Sequence, residues 1–324
     1  MERYDITIVG YGITGMIVLA ILQHKIPTLR VAIIDPYFDG GALMREYGSI
    51  ISNTHFIKAI NALKLIDPNY TIPQEFTNYD ENKTTPLYIL VHLLKEFITM
   101  KYDIYQTKVS SIEQNIIKNE DKTQIQSKII ILCQGSTPKT LQTELPVIPL
   151  FIALNKEQLQ KYLRPSNKVI LFGTSHSGTL ILENLEQLNI KTTAIYTKEN
   201  PFYFAKHGEY DGIKEDAERI AESILNNTYK HVELLSIKNV DTIIKATKKA
   251  TYVIYAIGFQ GRTIQSTFDL TKYDPHTGKI SDTIWGFGIA YPSIAPDNIH
   301  YDVGIYSFVE HILKQIENIK QTLV

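Results

Sequence analysis

The chain has 324 residues, of which 44% are hydrophobic and 21% are charged, a composition typical of a globular protein with room for two cores. Its 33 basic and 34 acidic residues leave a formal net charge of −1, so charge favours neither a nucleic acid nor an anionic membrane as a partner. The single cysteine, Cys133, excludes an internal disulfide, a C-x-x-C redox pair and a cysteine zinc cluster.

The chain opens with a pattern typical of a strand, a glycine-rich turn and a helix. Asp5 to Val9 is apolar and β-rich, Met16 to Leu22 begins a helix, and a second strand, Leu29 to Ile34, ends at an acidic residue. The turn reads G-x-G-x-x-G with an acid about 20 residues further on, which is the signature of a dinucleotide site. The residues predicted to hold the dinucleotide are Gly10, Gly12, Ile13, Thr14, Gly15 and Asp35.

The residue types in this turn each have a physical role. Gly10 permits the tight turn, Gly12 lets the backbone approach a pyrophosphate, and Gly15 lets helix and strand pack closely. The helix N-terminus offers unpaired N–H groups to phosphates, and Asp35 can accept hydrogen bonds from a ribose diol. The alternative is a glycine-rich turn that serves packing only.

The stretch after this unit contains ordinary elements. Thr85-Pro86 is typical of a helix start, and apolar residues at helical spacing run from Leu87 to Ile98. The polar stretch Asn115 to Gln126 predicts a solvated β-hairpin or loop, and Lys128 to Gly135 predicts an apolar strand. Leu145 to Pro149 is interpreted as a linker because two prolines in five residues disfavour regular structure.

A second unit of the same kind follows. Val169 to Phe172 predicts a strand, Gly173 to Gly178 a glycine turn that opens a helix, and Thr192 to Tyr196 another strand. Gly173 follows Gly10 by 163 positions, and Gly178 follows Gly15 by the same number. Serine replaces the middle glycine, so this motif is the weaker of the two. The residues predicted to line the second site are Gly173, Ser175, His176, Ser177, Gly178, Lys198 and Gly258.

Lys198 suggests which nicotinamide cofactor the second site takes. Carried on without a gap, the offset of 163 places Lys198 where Asp35 stands. A carboxylate there repels a 2′-phosphate and an ammonium attracts one, so we expect NADPH. NADH remains an alternative, because Glu199 is adjacent and the register can slip by one. His176 lies within the turn and is either a pyrophosphate contact or simply a packed side chain.

The two units also end alike. Lys128 to Gly135 and Thr251 to Gly258 each run from an apolar strand into a glycine, where a chain that crosses to another domain needs a small residue. Apolar residues at helical spacing predict a helix from about Ile213 to Asn227 and a last helix from about Val303.

These motifs resemble those of the thioredoxin-reductase-like group in the pyridine nucleotide-disulfide oxidoreductase superfamily of FAD/NAD(P)-binding flavoproteins, and more distantly the flavin-containing monooxygenases. The resemblance covers nearly the whole chain in order. Besides the glycine turns and Asp35, it rests on Gly40-Gly41-Ala42-Leu43, Ser52-Asn53-Thr54, Pro86-Leu87, Lys108-Val109 and Cys133-Gln134-Gly135-Ser136. It implies that FAD also meets Gly41, Leu43, Asn53, Val109 and Gly135.

The resemblance implies an α/β fold of two Rossmann-like dinucleotide-binding domains. In this group the NAD(P) domain is inserted in the FAD domain. We therefore expect an FAD domain formed by residues 1–147 and 259–324, and an NAD(P) domain formed by residues 148–258.

Two departures from the group bear on function. The disulfide reductases of the group carry a C-x-x-C in the NAD(P) domain, and this chain has none, so that activity is excluded. The group's late Gly-Asp, whose acid contacts the flavin ribitol, falls at Gly288 and Ile289. Asp302 can compensate for the missing acid. Gly304 lies where the group has a helix N-terminus facing the flavin, although a glycine that only eases packing fits as well.

The expected function is an FAD-dependent oxidoreductase that takes hydride from NADPH and passes electrons to an unidentified small-molecule or protein acceptor. The alternatives are a flavin-dependent monooxygenase of a small nucleophilic substrate, favoured by Ser177-Gly178, and a non-catalytic dinucleotide sensor. His55 is a candidate proton donor beside the flavin, or else a surface or packed histidine.

No spacing suggests a metal site, and a homodimer is compatible with these features. Met16 to Leu22 is too short to span a bilayer, and cleavage of a signal peptide would remove part of the first strand. We therefore expect a cytoplasmic protein without a membrane partner.

Overall fold

The computed structural model describes residues 1–202, 205–206, 209–210, 215–295 and 300–323. Contacts divide the chain into two units. Unit 1 contains Met1–Ser49, His55–Thr137 and Gly261–Val324, and unit 2 contains Ile50–Thr54 and Pro138–Gln260. The predicted helix start at Ile213 lies outside the described residues.

The described strands and helices are short and alternate along much of the chain. The strands are β1 (Glu2–Val9), β2 (Val31–Ile34), β3 (Ile51–His55), β4 (Thr84–Pro86), β5 (Asp103–Tyr105), β6 (Val109–Glu113), β7 (Ile116–Asn119), β8 (Gln124–Leu132), β9 (Ser136–Pro138), β10 (Lys168–Phe172), β11 (Lys191–Tyr196), β12 (Ala205–Lys206), β13 (Glu209–Tyr210), β14 (Val232–Ser236), β15 (Tyr252–Tyr255), β16 (Phe259–Gly261), β17 (Gln265–Ser266), β18 (Ile284–Gly286), β19 (Ser293–Ile294) and β20 (Tyr301–Asp302). The helices are α1 (Ile13–Lys25), α2 (Gly41–Tyr47), α3 (Phe56–Ile66), α4 (Leu87–Phe97), α5 (Leu150–Ala153), α6 (Lys156–Tyr162), α7 (His176–Gln187), α8 (Asp216–Leu225), α9 (Val240–Lys249) and α10 (Ile305–Leu323), with 3-10 turns at Gln74–Phe76 and Leu270–Lys272.

Unit 1 is built on one sheet with the strand order β17-β6-β7-β8-β1-β2-β5, in which β18 also pairs with β8. β1 lies parallel to both β2 and β8, and Val9 stands opposite Ile34 and Leu132. Parallel strands end at the same edge of a sheet, and ligands of such sheets bind outside that edge. This register therefore places Gly10, Asp35 and Cys133 together at one edge.

The sheet of unit 1 is covered on both faces. Ile129 and Ile131 of β8 belong to the core formed with α1, α3, α4 and α10. Ile130 and Leu132 belong to a second core on the other face. A continuous apolar run is typical of a parallel strand buried on both sides. Helix α1 is also deeply buried, since Met16 to Leu22 are each at most 1% exposed.

Unit 2 contains a smaller sheet with the strand order β14-β11-β10-β15. All three pairings are parallel, and Phe172 of β10 stands opposite Ile195 of β11 and Tyr255 of β15. Ile195 and Tyr255 belong to the hydrophobic core on this sheet. The chain therefore repeats a parallel sheet in which a central strand runs into a glycine turn and a helix.

The structure changes one expectation about the polar stretch from Asn115 to Gln126. β7 and β8 pair antiparallel there and form the predicted hairpin. Its side chains are only partly solvated, because Ile117 and Ile125 are 0% exposed and pack in the second core of unit 1. Alternation along a strand turns every second side chain inward, and the surrounding polar residues conceal this in the sequence.

None of the helices in the described ranges combines the length and the apolar character that a membrane crossing requires.

Candidate dinucleotide-binding sites

The first glycine turn is closed by backbone hydrogen bonds. The N–H of Gly10 donates to the carbonyl oxygen of Ile34 at 2.8 Å, and Gly12 caps α1 by accepting from the N–H of Met16 at 3.0 Å. Gly10 has a φ of +106°, and a methyl group there would overlap the carbonyl group of Cys133. A methyl group at Gly15 would overlap the carbonyl oxygen of Gly10. Strand, turn and helix are therefore held at a separation that only glycine allows.

Gly12 differs from Gly10 and Gly15 because the structure has space for a Cβ atom at this position. A Cβ at Gly12 would meet no atom closer than the carbonyl oxygen of Gly40, at 3.9 Å. A Cβ at Gly41 would lie 3.0 Å from the Cα of Gly12, so two glycine segments come into backbone contact here. No side chain caps α1, and its first turn carries no acid. The unpaired N–H groups of that turn could therefore hold an anion, and no side chain at Gly12 stands in its way.

Asp35 stands at the end of β2, where a ribose acceptor is predicted. Its Oδ2 accepts from the N–H of Tyr11 at 2.9 Å, and its Oδ1 accepts from the N–H groups of Tyr37 at 2.8 Å and Phe38 at 3.0 Å. A carboxylate has about four acceptor positions, so about one remains, on Oδ2. Asp35 is 8% exposed. It can thus take one hydroxyl of a ribose, and the rest of its capacity shapes the loop.

The second glycine turn repeats the first in detail. The N–H of Gly173 donates to the carbonyl oxygen of Ile195 at 2.9 Å, and Ser175 caps α7 by accepting from the N–H of Thr179 at 2.9 Å. A methyl group at Gly173 would overlap the carbonyl group of Ala256, and one at Gly178 would overlap Gly173. The two turns are therefore equivalent in backbone geometry.

The register of β11 corrects the position predicted for Lys198. Gly173 follows Gly10 by 163 positions, whereas Ile195, which accepts the N–H of Gly173, follows Ile34 by 161. The counterpart of Asp35 is therefore Tyr196, and Lys198 is the counterpart of Tyr37. The ungapped alignment is wrong because the connection from α7 to β11 is shorter than that from α1 to β2.

His176 is held by a contact that does not favour a role at a phosphate. Its Nε2 lies 3.2 Å from the carbonyl oxygen of Ile51, and its Nδ1 is buried without a hydrogen-bond partner. A carbonyl oxygen only accepts, so Nε2 carries the proton of the neutral ring and Nδ1 presents a lone pair. Burial lowers the pKa of His176, and the hydrogen bond to Ile51 opposes this shift. The neutral ring ties the segment Ile50–Thr54 to α7.

The late glycine of unit 1 meets the first turn of α1. Gly288 has a φ of +86°, and a methyl group there would overlap the side chain of Thr14. Ile289 is 39% exposed, so the position of the group's acid presents an apolar side chain to solvent. Asp302 stands opposite Ser293 in the hairpin of β19 and β20. Gly304 precedes α10 and accepts from the N–H of Phe308 at 3.0 Å.

The remaining residues predicted to contact a dinucleotide are spread over several helices, strands and loops. Leu43 lies on α2 and packs against the main core of unit 1. Asn53 is exposed in the segment of unit 2 and accepts from the hydroxyl of Thr54 at 3.3 Å. His55 caps α3 and stays a candidate only. Val109 is buried at the start of β6, Ser177 lies in the first turn of α7, and Gly135 and Gly258 have φ values of +70° and +90°.

The structure thus gathers one part of the predicted first site. Gly10, Gly12, Gly15 and Asp35 meet at one edge with Gly41, and Gly288 joins them through Thr14. Sequence reasoning missed Tyr11, Tyr37 and Phe38, whose N–H groups donate to Asp35. Their side chains carry no signal for this, because the contacts are made by the backbone. Among the described residues, no group of three or more His, Cys, Asp or Glu side chains is placed to hold a metal ion.

Two units, each with a central strand that has parallel neighbours and runs into a glycine turn at the start of a helix, define the class of dinucleotide-binding folds. The chain is similar over its whole length to solved flavoproteins. A flavin-containing monooxygenase from Stenotrophomonas maltophilia has a TM-score of 0.68 at 13% identity, with 100% of both chains covered. A bacillithiol disulfide reductase from Bacillus cereus has a TM-score of 0.66 at 12% identity, with 99% of both covered. The thioredoxin reductase of T. acidophilum has a TM-score of 0.58 at 15% identity, with 100% of both covered.

The fold is therefore the one that these solved structures share, and the resemblance drawn from the motifs is confirmed at the level of the fold. A curated relative, the monooxygenase AgnR1 of Paecilomyces divaricatus, is 22% identical, with 96% of each chain covered. No protein family model matches the chain. At these levels of identity the similarity establishes the fold.

Proposed function

We propose that the protein is an FAD-dependent oxidoreductase that takes a hydride from NADPH and passes two electrons to a small-molecule or protein acceptor. Unit 1 holds FAD, and residues 148–258 form the NADPH domain inserted in the FAD domain. One observation carries the proposal. The two glycine turns have the same backbone geometry, but the residue at the end of the neighbouring strand differs: it is Asp35 after β2 in unit 1 and Tyr196 on β11 in unit 2. Equivalent turns with different ribose-facing residues suit two different dinucleotides.

The residues of unit 1 fit the AMP and pyrophosphate portion of FAD. The open space at Gly12 and the uncapped start of α1 suit a pyrophosphate. The remaining acceptor position of Asp35 suits one ribose hydroxyl. The N-terminus of α10 at Gly304 offers a partial positive charge, which typically stabilises a nearby anion by about 0.3–1 kcal/mol. The resemblance assigns this helix end to the reduced flavin.

When bound, the two cofactors supply the redox chemistry, in which hydride passes from the nicotinamide ring to the flavin ring. The contribution of this chain is to bind the two dinucleotides, orient them and stabilise the charge that reduction adds. The absence of a second cysteine means that the electrons leave to an acceptor other than a dithiol of this chain.

The test is the colour of the protein and its response to NADPH. Purified protein, or protein refolded with FAD, is expected to be yellow and to bleach under anaerobic conditions when NADPH is added. A screen of quinones, dyes and small carrier proteins against the reduced form then identifies the acceptor. Colourless protein that takes up no FAD would refute the proposal. Protein that binds both cofactors without bleaching would instead be a dinucleotide sensor.

A monooxygenase of a small nucleophilic substrate is the second candidate. It is favoured by the full-length likeness to AgnR1, which is named a monooxygenase, and by the pair Ser177-Gly178 in the second turn. Such a reaction consumes NADPH, a proton, oxygen and substrate, and yields NADP⁺, water and the oxygenated substrate. Incorporation of one atom from labelled oxygen into an amine or thioether would establish it. NADPH oxidation that those substrates leave unchanged would count against it.

The preference for NADPH rests on Lys198, the counterpart of Tyr37. Tyr196, the counterpart of Asp35, has no carboxylate that would repel a phosphate. Lys198 lies two residues further along the chain, after the end of β11, and is exposed. Lys198→Glu is expected to raise the KM for NADPH about tenfold and to change the KM for NADH little, because an ammonium near the 2′-phosphate is replaced by a repelling charge.

Steady-state kinetics with both cofactors measures this effect. Lys191→Glu is the matched control, since Lys191 is exposed at the opposite end of the same strand. Equal changes for NADPH and NADH in the Lys198 variant would remove the assignment of the 2′-phosphate.

A further inference from the structure

We infer that Tyr37 and Arg45 form a stacking platform for the adenine ring of the dinucleotide that unit 1 binds. The inference rests on the proposed function and adds two residues that neither glycine motif contains. Tyr37 lies in the loop after β2, two residues beyond Asp35, and Arg45 lies on α2.

Asp35 has little free hydrogen-bonding capacity for an adenosine. Three of its acceptor positions are taken by backbone N–H groups, and two of those bonds go to Tyr37 and Phe38. The same carboxylate that reaches the ribose therefore fixes the backbone of Tyr37. With one acceptor position left on Asp35, neighbouring side chains are a source of further affinity for an adenosine.

Tyr37 and Arg45 are already stacked on each other. The Cζ atom of Arg45 lies 4.0 Å from the centroid of the Tyr37 ring. Nη1 of Arg45 donates to both carboxylate oxygens of Asp39, at 2.9 and 3.1 Å. Asp39 is itself tied down, because its Oδ1 accepts from the N–H of Gly41 and its carbonyl oxygen accepts from Nζ of Lys95. The guanidinium plane is thus held in place before any ligand arrives.

The position of the pair matches the chemistry of adenosine. In an adenosine the base is attached to C1′, the neighbour of the carbon that carries the 2′-hydroxyl. A ribose whose hydroxyl binds Asp35 therefore places its base close to that carboxylate. Tyr37 is 57% exposed there, although a large aromatic ring gains by being covered. Aromatic rings and guanidinium planes both stack on purines. Lys198 occupies the equivalent place in unit 2, where a 2′-phosphate is expected.

The test compares FAD with FMN, which lacks the adenosine half. Tyr37→Ala and Arg45→Ala are each expected to raise the dissociation constant for FAD about tenfold, the effect of losing a stacking partner for one base. The affinity for FMN should stay within twofold of the wild type. ADP should also compete less well against FAD. Tyr37→Phe should bind FAD as the wild type does, because the ring and not the hydroxyl makes the platform.

Arg30→Ala is the matched control. Arg30 also stacks on a tyrosine, with its Cζ 4.5 Å from the centroid of Tyr4, and pairs with Glu2 at 2.8 Å and Asp103 at 3.4 Å. It precedes β2, at the opposite edge of the same sheet, and its loss should leave all three affinities unchanged.

Two results would overturn the inference. One is wild-type affinity for FAD and ADP in both alanine variants; the other is equal weakening of FAD and FMN, which would indicate a general loss of structure. In either case the proposed function stands as long as the wild type binds FAD and is reduced by NADPH. A wild-type chain that binds neither FAD nor ADP would overturn both proposals.

Discussion

Gly12→Asp is expected to abolish the retention of FAD while leaving the fold intact. Gly12 has a φ of −82° and a ψ of −171°, which any residue adopts, and a Cβ atom there would meet no atom closer than the carbonyl oxygen of Gly40, at 3.9 Å. Aspartate is also a favourable helix N-cap, worth about 0.5–2 kcal/mol over alanine. The same carboxylate would occupy the space assigned to the pyrophosphate and repel it. Loss of flavin would therefore come from charge and occupancy, without loss of stability.

The measurement is the flavin content of the purified variant, together with its melting temperature. Ser175→Asp is the matched control, since Ser175 caps α7 in the equivalent turn of unit 2. That variant should keep its FAD and lose reduction by NADPH. Unchanged flavin content in Gly12→Asp would refute the assignment of the first turn.

Gly15→Ala and Gly178→Ala are expected to destabilise the protein strongly, each through its own unit. In both cases the new methyl group would overlap a carbonyl oxygen of the same turn, that of Gly10 or of Gly173. Overpacking of this kind costs about 1–3 kcal/mol, and occasionally more. Backbone atoms cannot move aside as a flexible side chain does, so we expect values at or above the top of that range.

Denaturant unfolding can separate the two variants, because the single tryptophan, Trp285, is buried in unit 1. Gly15→Ala should lower the midpoint seen by tryptophan fluorescence. Gly178→Ala should act chiefly on the circular dichroism transition. Gly12→Ala in the same turn as Gly15 is the control, and it should shift neither midpoint by more than a small amount. Wild-type midpoints in both clashing variants would show that the turns are not packed as described.

Much of the architecture follows from local patterns in the sequence. The alternation of apolar strands, glycine turns and helices predicted β1, α1, β10 and α7, because each of these elements carries its own periodicity and boundary residues. Repetition of the G-x-x-x-x-G spacing at Gly10 and Gly173 indicated two similar units. Comparison with solved structures confirmed the fold.

The sequence predicts which residues meet at the first glycine turn better than it predicts the hydrogen bonds that they make. Asp35 was assigned to a ribose from its distance along the chain, and the structure brings it to the turn. Three backbone N–H groups take most of its acceptor capacity. Backbone contacts of this kind depend on how a loop folds back, and no residue type announces them. For the same reason the stacking of Arg45 on Tyr37 was invisible in the sequence.

By itself, the sequence determined that this protein has two glycine turns, each at the start of a helix, because the glycines stand at the positions where a side chain would collide with the backbone. Only the tertiary structure decided which residue of the second unit is the counterpart of Asp35. Strand register is set by hydrogen bonds between β10 and β11. The connection from α7 to β11 is two residues shorter than that from α1 to β2, so the counterpart of Asp35 is Tyr196 and not Lys198. It also decided the state of His176, because a neutral ring follows from burial against the carbonyl oxygen of Ile51, and burial is a property of the folded chain.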